Sequence, residues 1–263
     1  MKDVQNLEDT RGIPIDRVGV SDLRYPIVVL DQENKEQHSI ANIALSVDLP
    51  HHFKGTHMSR FVEVLNRHHG DMTMRTIPTI LAELQERLEA ERTHIDVSFP
   101  YFLIKKAPVT QSEGLVDYDC SFSGEMNGTE SDFTLEVVVP VTSLCPCSKE
   151  ISSYGAHNQR SRVAIKVRTR KKSDGTWDFV WIEELIKIAE GSASAPLYSL
   201  LKRPDEKFVT EQAYDNPVFV EDLVRGVATE LMADDRIVWF RVRSVNEESI
   251  HNHNAFAEIR WAR

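Results

Sequence analysis

The apolar and polar positions in the first half of the chain follow two periods, one typical of strands and one typical of helices. Alternation with period two, or a short β-branched run, predicts strands at residues 25–30, 38–49, 94–105 and 115–126. Apolar positions at helical spacing predict helices at residues 58–67 and 77–92. Residues 1–20 are polar with little periodicity, which indicates a flexible arm or an edge packed on a neighbour.

The second half repeats this order of elements after the turn signal of Asn127 and Gly128. Its strands are predicted at residues 132–141, 162–170, 237–245 and 255–261, and its helices at residues 181–189 and 219–232. Each half therefore predicts an antiparallel four-stranded sheet with two helices on one face, an α+β fold. We expect one module at residues 1–128 and another at residues 129–263, with subunit association covering the open sheet faces.

Composition narrows the classes of protein to consider. The chain has 263 residues and a formal net charge of −10, so it lacks the basic surface that non-specific nucleic-acid binding requires. Its N-terminus has no apolar core of a signal peptide, and no apolar run approaches the roughly 20 residues of a membrane-spanning helix. Three cysteines are too few for a disulfide framework. We expect a cytoplasmic protein with neither nucleic-acid nor membrane partners.

The stretch SLCPCSKEISSYGAHNQRS, residues 143–161, concentrates the chemistry of the chain. Cys145 and Cys147 lie one residue apart, and a turn through Gly155 could bring His157 back over both sulfurs. Thiolate and imidazole together bind zinc, iron or similar metals, and they also make an activated cysteine nucleophile. Both interpretations stay open at this point. The third cysteine, Cys120, lies inside a predicted strand and is expected to be a small buried apolar group.

Polar groups elsewhere could complete a site. One set is acidic and lies in an expected loop at residues 204–212, namely Asp205, Glu206 and Glu211. Glu221 and Asp222 begin a predicted helix, where the positive helix end alone explains two carboxylates. His251 and His253 share one side of an extended segment. Residues 51–61, HHFKGTHMSRF, indicate a solvated loop, an anion contact or a metal site.

These motifs resemble a known family. The segments SLCPCSKEIS and GAHNQRS, with HFKGTHMSRF, FVEDLVR and ESIHNHNAFAE, are similar to the type IB form of GTP cyclohydrolase I over essentially the whole chain. The resemblance implies tandem tunnelling-fold (T-fold) modules and a homotetramer whose active sites form where subunits meet. It also implies that GTP and water give 7,8-dihydroneopterin triphosphate and formate, the first step toward folate and related pterins.

The resemblance also implies roles for individual residues. Cys145, His157, His251 and Glu206 would hold a divalent metal, Mn²⁺, Fe²⁺ or Zn²⁺, with Glu211 competing with Glu206 and His253 with His251. Cys147 would be a ligand or a catalytic neighbour of the metal, and a histidine such as His157 suits proton transfer. Glu221 would anchor the guanine. The cations expected near the triphosphate are Lys54, His57 and Arg60 from another subunit and Lys149, Arg160 and Arg162.

Two other functions are compatible with the same residues. A nitrile reductase of the tunnelling fold would use Cys145 or Cys147 to form a covalent thioimide and NADPH as reductant. A non-enzymatic protein would use the cysteines and His157 for a structural zinc site that is closed by four ligands. The paired cysteines with three further histidines favour a catalytic metal over the reductase. Formation of a fluorescent pterin from GTP would distinguish the cyclohydrolase from both.

Overall fold

The computed structural model describes residues 5, 7–68, 76–173 and 175–263, which form two compact units. Unit 1 consists of Met1–Pro100 with Ser121–Leu135, and unit 2 of Tyr101–Cys120 with Glu136–Arg263. The units interleave along the sequence because three long strands begin in one unit and end in the other. The division into modules at residues 1–128 and 129–263 stays a prediction.

The order of elements in the first half agrees with the sequence pattern. The elements are β1 (Ile15–Asp31), β2 (Lys35–Leu49), α1 (Met58–Arg67), α2 (Ile77–Leu88), β3 (Arg92–Lys106) and β4 (Glu113–Asn127). Helix α2 ends earlier than predicted because Glu89 adopts a left-handed conformation with φ 52°, and β3 begins at Arg92.

The second half contains the predicted elements and three more. They are β5 (Glu130–Leu144), α3 (Pro146–Ile151), β6 (Asn158–Thr169), α4 (Ile182–Gly191), β7 (Ala195–Pro196), α5 (Arg203–Asp215), α6 (Val220–Ala233), β8 (Ile237–Asn246) and β9 (Ala255–Ala262). The additional elements are α3, the two-residue β7 and α5. The expected loop at residues 204–212 is therefore wrong, since it lies within α5. Pro204 lies in the first turn of this helix, where proline is tolerated, and does not interrupt it.

The prediction of a flexible arm up to residue 20 is wrong from Ile15 onward. Strand β1 begins there and pairs antiparallel with β2, with Ile15 opposite Leu49 and Tyr25 opposite Ala41. The strand lies at an edge of the sheet, so its first part buries few side chains and shows little alternation. Backbone pairing with β2 holds this part in place, and the apolar pattern carries no signal of it.

The core of unit 1 lies between the sheet and helices α1 and α2. Strand β2 also pairs antiparallel with β3, and Leu45 is opposite Ile95. Gly124 lets α2 approach the sheet closely, because a Cβ atom there would lie 2.6 Å from Cγ2 of Ile77 and 3.1 Å from Cγ2 of Ile95. The side chains that complete this core include Phe61, Leu65, Ile80 and Leu84. A residue larger than glycine would force the helix away from the sheet.

The core of unit 2 also lies between its strands and its helices. Strand β8 pairs antiparallel with both β6 and β9, and Ile165 of β6 is opposite Val242 of β8. Helices α4 and α6 bury one apolar side each, including Leu185, Leu223 and Val227.

Among the described residues, no helix has the length and the apolar character that crossing a membrane would require.

A buried carboxylate fixes the start of α5 within unit 2. Oδ1 of Asp205 accepts hydrogen bonds from the backbone N–H groups of Val109 (2.9 Å) and Thr110 (2.8 Å). Its Oδ2 accepts from Thr110 Oγ1 (2.7 Å) and from the backbone N–H of Lys202 (3.0 Å). Burial alone raises the pKa of Asp205, but these hydrogen bonds outweigh it and hold the pKa well below its ordinary value. Asp205 is therefore a structural residue and not a free acid for chemistry.

We expect the substitution Asp205→Asn to lower the midpoint of thermal unfolding at pH 7 by about 2–4 °C. Because the folded pKa is depressed, the ionised carboxylate stabilises the fold above the unfolded pKa of about 3.9, and this contribution is lost as pH falls toward the folded pKa. The difference between wild type and variant should therefore shrink on acidification. Thermal unfolding between pH 3 and pH 7 measures it.

Asp222→Asn is the matched control, because Asp222 is exposed and pairs with Arg225 on its own helix, at 2.9 Å. A loss of stability as large in the control, or a difference that grows as pH falls, would contradict the assignment of Asp205.

Candidate active site

A backbone hydrogen bond brings Cys145 next to His157. The N–H of Cys145 donates to the carbonyl of His157 at 3.0 Å, and the N–H of His157 donates to Ser148 Oγ at 3.0 Å. The chain between them contains α3 and turns at Gly155, whose φ of 136° is a conformation that glycine favours. The end of β5 and the start of β6 therefore present a thiol and an imidazole together.

Cys145 also begins helix α3. Its backbone is extended, Pro146 follows in the first turn, and Cys145 Sγ accepts a hydrogen bond from the N–H of Ser148 at 3.4 Å. This is the position that serine or aspartate takes at other helices. The side chain thus has a fixed direction, and its sulfur borders the cavity described next.

A cavity of about 270 Å³ lies within unit 2 and gathers most of the candidate groups. Its lining falls into three kinds of residue. The metal-binding types are Cys145, His157, His251 and His253, the acids are Glu221 and Glu248, and the remainder are Gln159, Val218, Phe219, Val220, Asn246 and Ala255. Sulfur, imidazole and carboxylate groups thus border one space beside an apolar wall.

The two histidines between β8 and β9 lie beside His157. The ring centroids of His157 and His251 are 6.2 Å apart, and those of His251 and His253 are 5.2 Å apart in a stacked arrangement. Both rings are exposed and both border the cavity. His251 and His253 both stay predicted as alternative ligands, and His251 is a direct ring neighbour of His157.

Three proposed residues do not line this cavity in a single chain. Cys147 is exposed on α3, and Glu206 and Glu211 are exposed on α5, where Glu211 pairs with Lys207 at 3.5 Å. Within the part of the chain that the structure describes, no group of three or more His, Cys, Asp or Glu side chains is arranged to hold a metal ion. A complete ligand set would therefore need an additional group or a rearrangement of the exposed loop.

Glu221 lies in the first turn of α6 at the cavity. The N–H of Val218 donates to the carbonyl of Leu144 at 3.1 Å, which holds the start of this helix beside Cys145. Val218, Phe219 and Val220 add an apolar wall next to the carboxylate. A flat heterocycle with N–H donors on one edge would match this combination of wall and acceptor.

Glu248 is a residue that the sequence analysis missed. Its side chain is only 10% exposed, and its Oε2 lies 3.8 Å from Nδ1 of His157. Oε2 is buried and has no hydrogen-bond partner among the described residues. The sequence offered one signal for it. Every second residue of β8 is buried, namely Val242, Ser244 and Asn246, and Glu248 is the next position in this series just after the strand.

The donor set fits a divalent metal ion. Cys145 offers sulfur, His157 offers the ring nitrogen that Gln159 does not occupy, and both border one cavity. A buried carboxylate oxygen without a partner is costly unless positive charge lies near, and Glu248 provides such an oxygen on the far side of the imidazole. Sulfur and imidazole nitrogen together suit zinc, iron or similar metals, and the remaining ligands would come from groups outside this arrangement.

Several cations expected near a triphosphate already have partners. Lys149 Nζ donates to the carbonyl of Tyr214 at 2.5 Å and lies 4.3 Å from the centre of that ring. Arg162 Nε donates to Glu247 at 3.2 Å, and Arg60 NH1 donates to the carbonyl of Arg87 at 2.7 Å. Lys54 and Arg160 are exposed.

Comparison with known proteins identifies relatives over nearly the full chain. The family model of type I GTP cyclohydrolase folE2 matches residues 1–257. GTP cyclohydrolase FolE2 of Nitrosococcus oceani is 54% identical over 259 residues, which cover 98% of this chain and 94% of that protein. The protein of the same name from Magnetococcus marinus is 55% identical over 259 residues, with 98% and 95% covered.

The fold itself is similar to that of solved urate oxidases. Uricase from Arthrobacter globiformis superposes with a TM-score of 0.52 at 9% identity, covering 94% of this chain and 93% of that one. Urate oxidase from Bacillus sp. TB-90 gives a TM-score of 0.56 at 10% identity, covering 95% and 100%. At such low identity the likeness concerns the fold alone. It confirms the predicted α+β tunnelling fold.

The three cysteines should differ in reactivity toward an alkylating reagent. Cys147 is exposed, Cys145 is partly buried, and Cys120 is buried as expected, with burial raising the pKa of its thiol. We therefore expect iodoacetamide to modify Cys147 first, Cys145 more slowly, and Cys120 only after denaturation. Mass mapping of metal-free protein over time measures the order.

The same reaction in denaturant, where all three thiols should react at similar rates, is the control. Modification of Cys120 in the folded protein as fast as that of Cys147 would contradict the burial described above.

Proposed function

The chain belongs to the FolE2 family of type I GTP cyclohydrolases, and from that premise we propose which residues carry out the reaction. The protein is a GTP cyclohydrolase I that acts in folate and pterin biosynthesis. It hydrolyses GTP to 7,8-dihydroneopterin triphosphate and formate. The observation that supports our site is that Cys145, His157, Glu221 and His251 border one cavity.

In this proposal Cys145, His157 and His251 hold a divalent metal ion, with Mn²⁺, Fe²⁺ and Zn²⁺ as candidates. When bound, such an ion lowers the pKa of a coordinated water from about 15.7 towards 7. Glu206 remains the proposed carboxylate ligand. Because it is exposed on α5 and does not line the cavity of its own chain, it would complete the ligand set across a subunit contact.

Glu221 binds the guanine ring in this proposal. Its carboxylate accepts hydrogen bonds from the ring N–H and the exocyclic amine, and charge-assisted bonds of this kind are stronger than neutral ones. The apolar wall of Val218, Phe219 and Val220 packs against the flat purine and excludes water from one side. The imidazole part of the base would then face the metal-binding residues.

The reaction needs protons at several atoms. Water adds at C8 of the purine, the C8–N bond opens, and hydrolysis of the resulting formamide releases formate. The freed amine then condenses with the rearranged ribose carbons.

Of the two roles proposed for His157, metal ligation fits its enclosed ring better than proton transfer. Proton transfer then falls to the exposed His253 beside His251, and Cys147 stays a proposed catalytic neighbour.

We also propose a homotetramer with active sites at subunit contacts, in the cytoplasm where GTP is available. Large apolar side chains in unit 2 are exposed near the cavity loops, including Ile151 at 85%, Tyr154 at 101% and Ile250 at 65%. Contiguous exposed apolar patches, more than single exposed side chains, mark contact surfaces, and these residues would have to form such a patch. Light scattering at micromolar concentration tests the oligomer, and a monomer that is fully active would contradict the shared site.

Removal of the metal should abolish activity. We expect chelator-treated protein to form no fluorescent pterin from GTP, after oxidation and dephosphorylation of the product, and added Mn²⁺, Fe²⁺ or Zn²⁺ to restore it. Cys145→Ser and His157→Ala should each lose metal content and reduce kcat by more than about 100-fold, beyond the 10–100-fold effect of outer-shell changes.

Cys120→Ala is the matched control, since it removes a thiol that is buried away from this cavity. Full activity of metal-free protein, or retention of metal and activity in Cys145→Ser, would contradict the proposed metal site.

Glu221→Gln should weaken guanine binding without changing metal content. Loss of a charged acceptor that takes two hydrogen bonds should reduce kcat/KM by about 10- to 100-fold, mainly through KM. Steady-state kinetics with GTP measures this effect. Asp222→Asn, one residue along the same helix, is the control, and equal kinetics of Glu221→Gln and wild type would remove the guanine assignment.

A further inference from the structure

A buried network of side-chain hydrogen bonds joins His157 to the interior of the sheet. His157 Nδ1 lies 2.9 Å from Gln159 Oε1, and Gln159 Nε2 donates to Ser143 Oγ at 2.9 Å. Ser161 Oγ lies 2.9 Å from Ser143 Oγ and donates to Asn246 Oδ1 at 2.7 Å, while Asn246 Nδ2 donates to Ser143 Oγ at 3.1 Å. All members of the network except His157 are buried.

The number of protons in this network limits how it can be arranged. Ser161 has one hydroxyl proton and gives it to Asn246 Oδ1, so the contact between the two hydroxyls uses the proton of Ser143. Ser143 then has only acceptor capacity left, which the amide groups of Asn246 and Gln159 fill. With Nε2 of Gln159 directed at Ser143, its Oε1 faces His157 and can only accept a hydrogen bond from Nδ1–H.

Glu248 favours the same arrangement. Its buried Oε2 lies 3.8 Å from Nδ1 of His157, on the same ring nitrogen that Gln159 contacts. If the amide of Gln159 were reversed, Nδ1 would carry a lone pair beside a carboxylate oxygen, which is electrostatically unfavourable. A proton on Nδ1 satisfies the amide oxygen and is attracted by the carboxylate. Two independent neighbours thus specify one tautomer.

We propose that Gln159 is a positioning residue that holds His157 as the Nδ1–H tautomer, with its Nε2 lone pair available to the cavity. This inference rests on the proposed function in one respect, the role of Nε2 as a metal ligand. A residue that hydrogen-bonds to the other ring nitrogen of a ligating histidine fixes its tautomer, and thereby sets both the direction of the lone pair and the orientation of the ring. Gln159 does so through Ser143 and Asn246, which anchor its amide.

The tautomer itself can be observed without metal. Neutron diffraction from deuterated crystals of metal-free wild-type protein, at a pH where His157 is neutral, should show a deuteron on Nδ1, none on Nε2, and the amide deuterons of Gln159 directed at Ser143. A deuteron on Nε2 alone would overturn the inference, whatever the protein catalyses.

Variants test whether the positioning matters. Gln159→Leu removes the acceptor and should weaken Mn²⁺ or Zn²⁺ binding by about 10- to 100-fold in a metal titration. Gln159→Glu keeps an acceptor at the same distance and should retain most of the affinity. In metal-free crystals, Gln159→Leu should also lower the occupancy of the deuteron on Nδ1, although Glu248 still favours it, and a loss of packing alone would not produce this change.

Thr169→Val is the matched control, because Thr169 is a buried residue of the same strand whose hydroxyl has no hydrogen-bond partner in the described part of the chain. It should change neither metal affinity nor tautomer, and an equal loss in this variant would overturn the inference. Equal metal affinity of Gln159→Leu and wild type would overturn it as well. Suppose that His157→Ala binds metal as tightly as wild type, and that wild-type crystals show the deuteron on Nδ1. The proposed metal site is then wrong, and the tautomer assignment holds.

Discussion

The arrangement of the candidate active-site cavity depends on the hydrogen bond from the Cys145 N–H to the His157 carbonyl. This bond closes the segment that contains α3, so that the end of β5 and the start of β6 present their side chains to one space. The sheet supplies the rigid base, since Ser143 and Gln159 next to these residues are buried in it. Many enzymes place their reactive residues on short loops between rigid strands, which keeps these residues accessible and precisely positioned.

Much of the fold was predictable because most elements bury one face. The alternation at 115–126 and the helical spacing at 219–232 both correspond to real elements whose apolar side enters the core. The pattern failed where burial does not decide the structure. The first part of β1 is held by backbone pairing at a sheet edge, and α5 has a polar sequence whose start is fixed by Asp205. Neither cause appears as an apolar period.

The candidate site was predictable in its residue types but not in its supporting groups. The spacing of Cys145, Cys147 and His157 indicated metal or thiol chemistry, and the resemblance to a family narrowed this to one reaction. Gln159 gave no signal of its own, because a lone amide in a strand has many possible roles, and for Glu248 the only signal was the period of β8. The contact of Glu248 with His157 arises only when β6 and β8 lie side by side, whereas Gln159 contacts His157 from two residues along the chain.

The position of Cys145 at the start of α3 has a consequence for the durability of the enzyme. Every residue of this short helix stays at least partly accessible to solvent, so the helix gains little from packing and relies on its capped end. The sulfur that closes that end belongs to Cys145, a residue that lines the cavity. Oxidation of this one thiol would therefore weaken a turn of the backbone as well as alter a proposed metal ligand, so that a chemical modification would also change the local conformation.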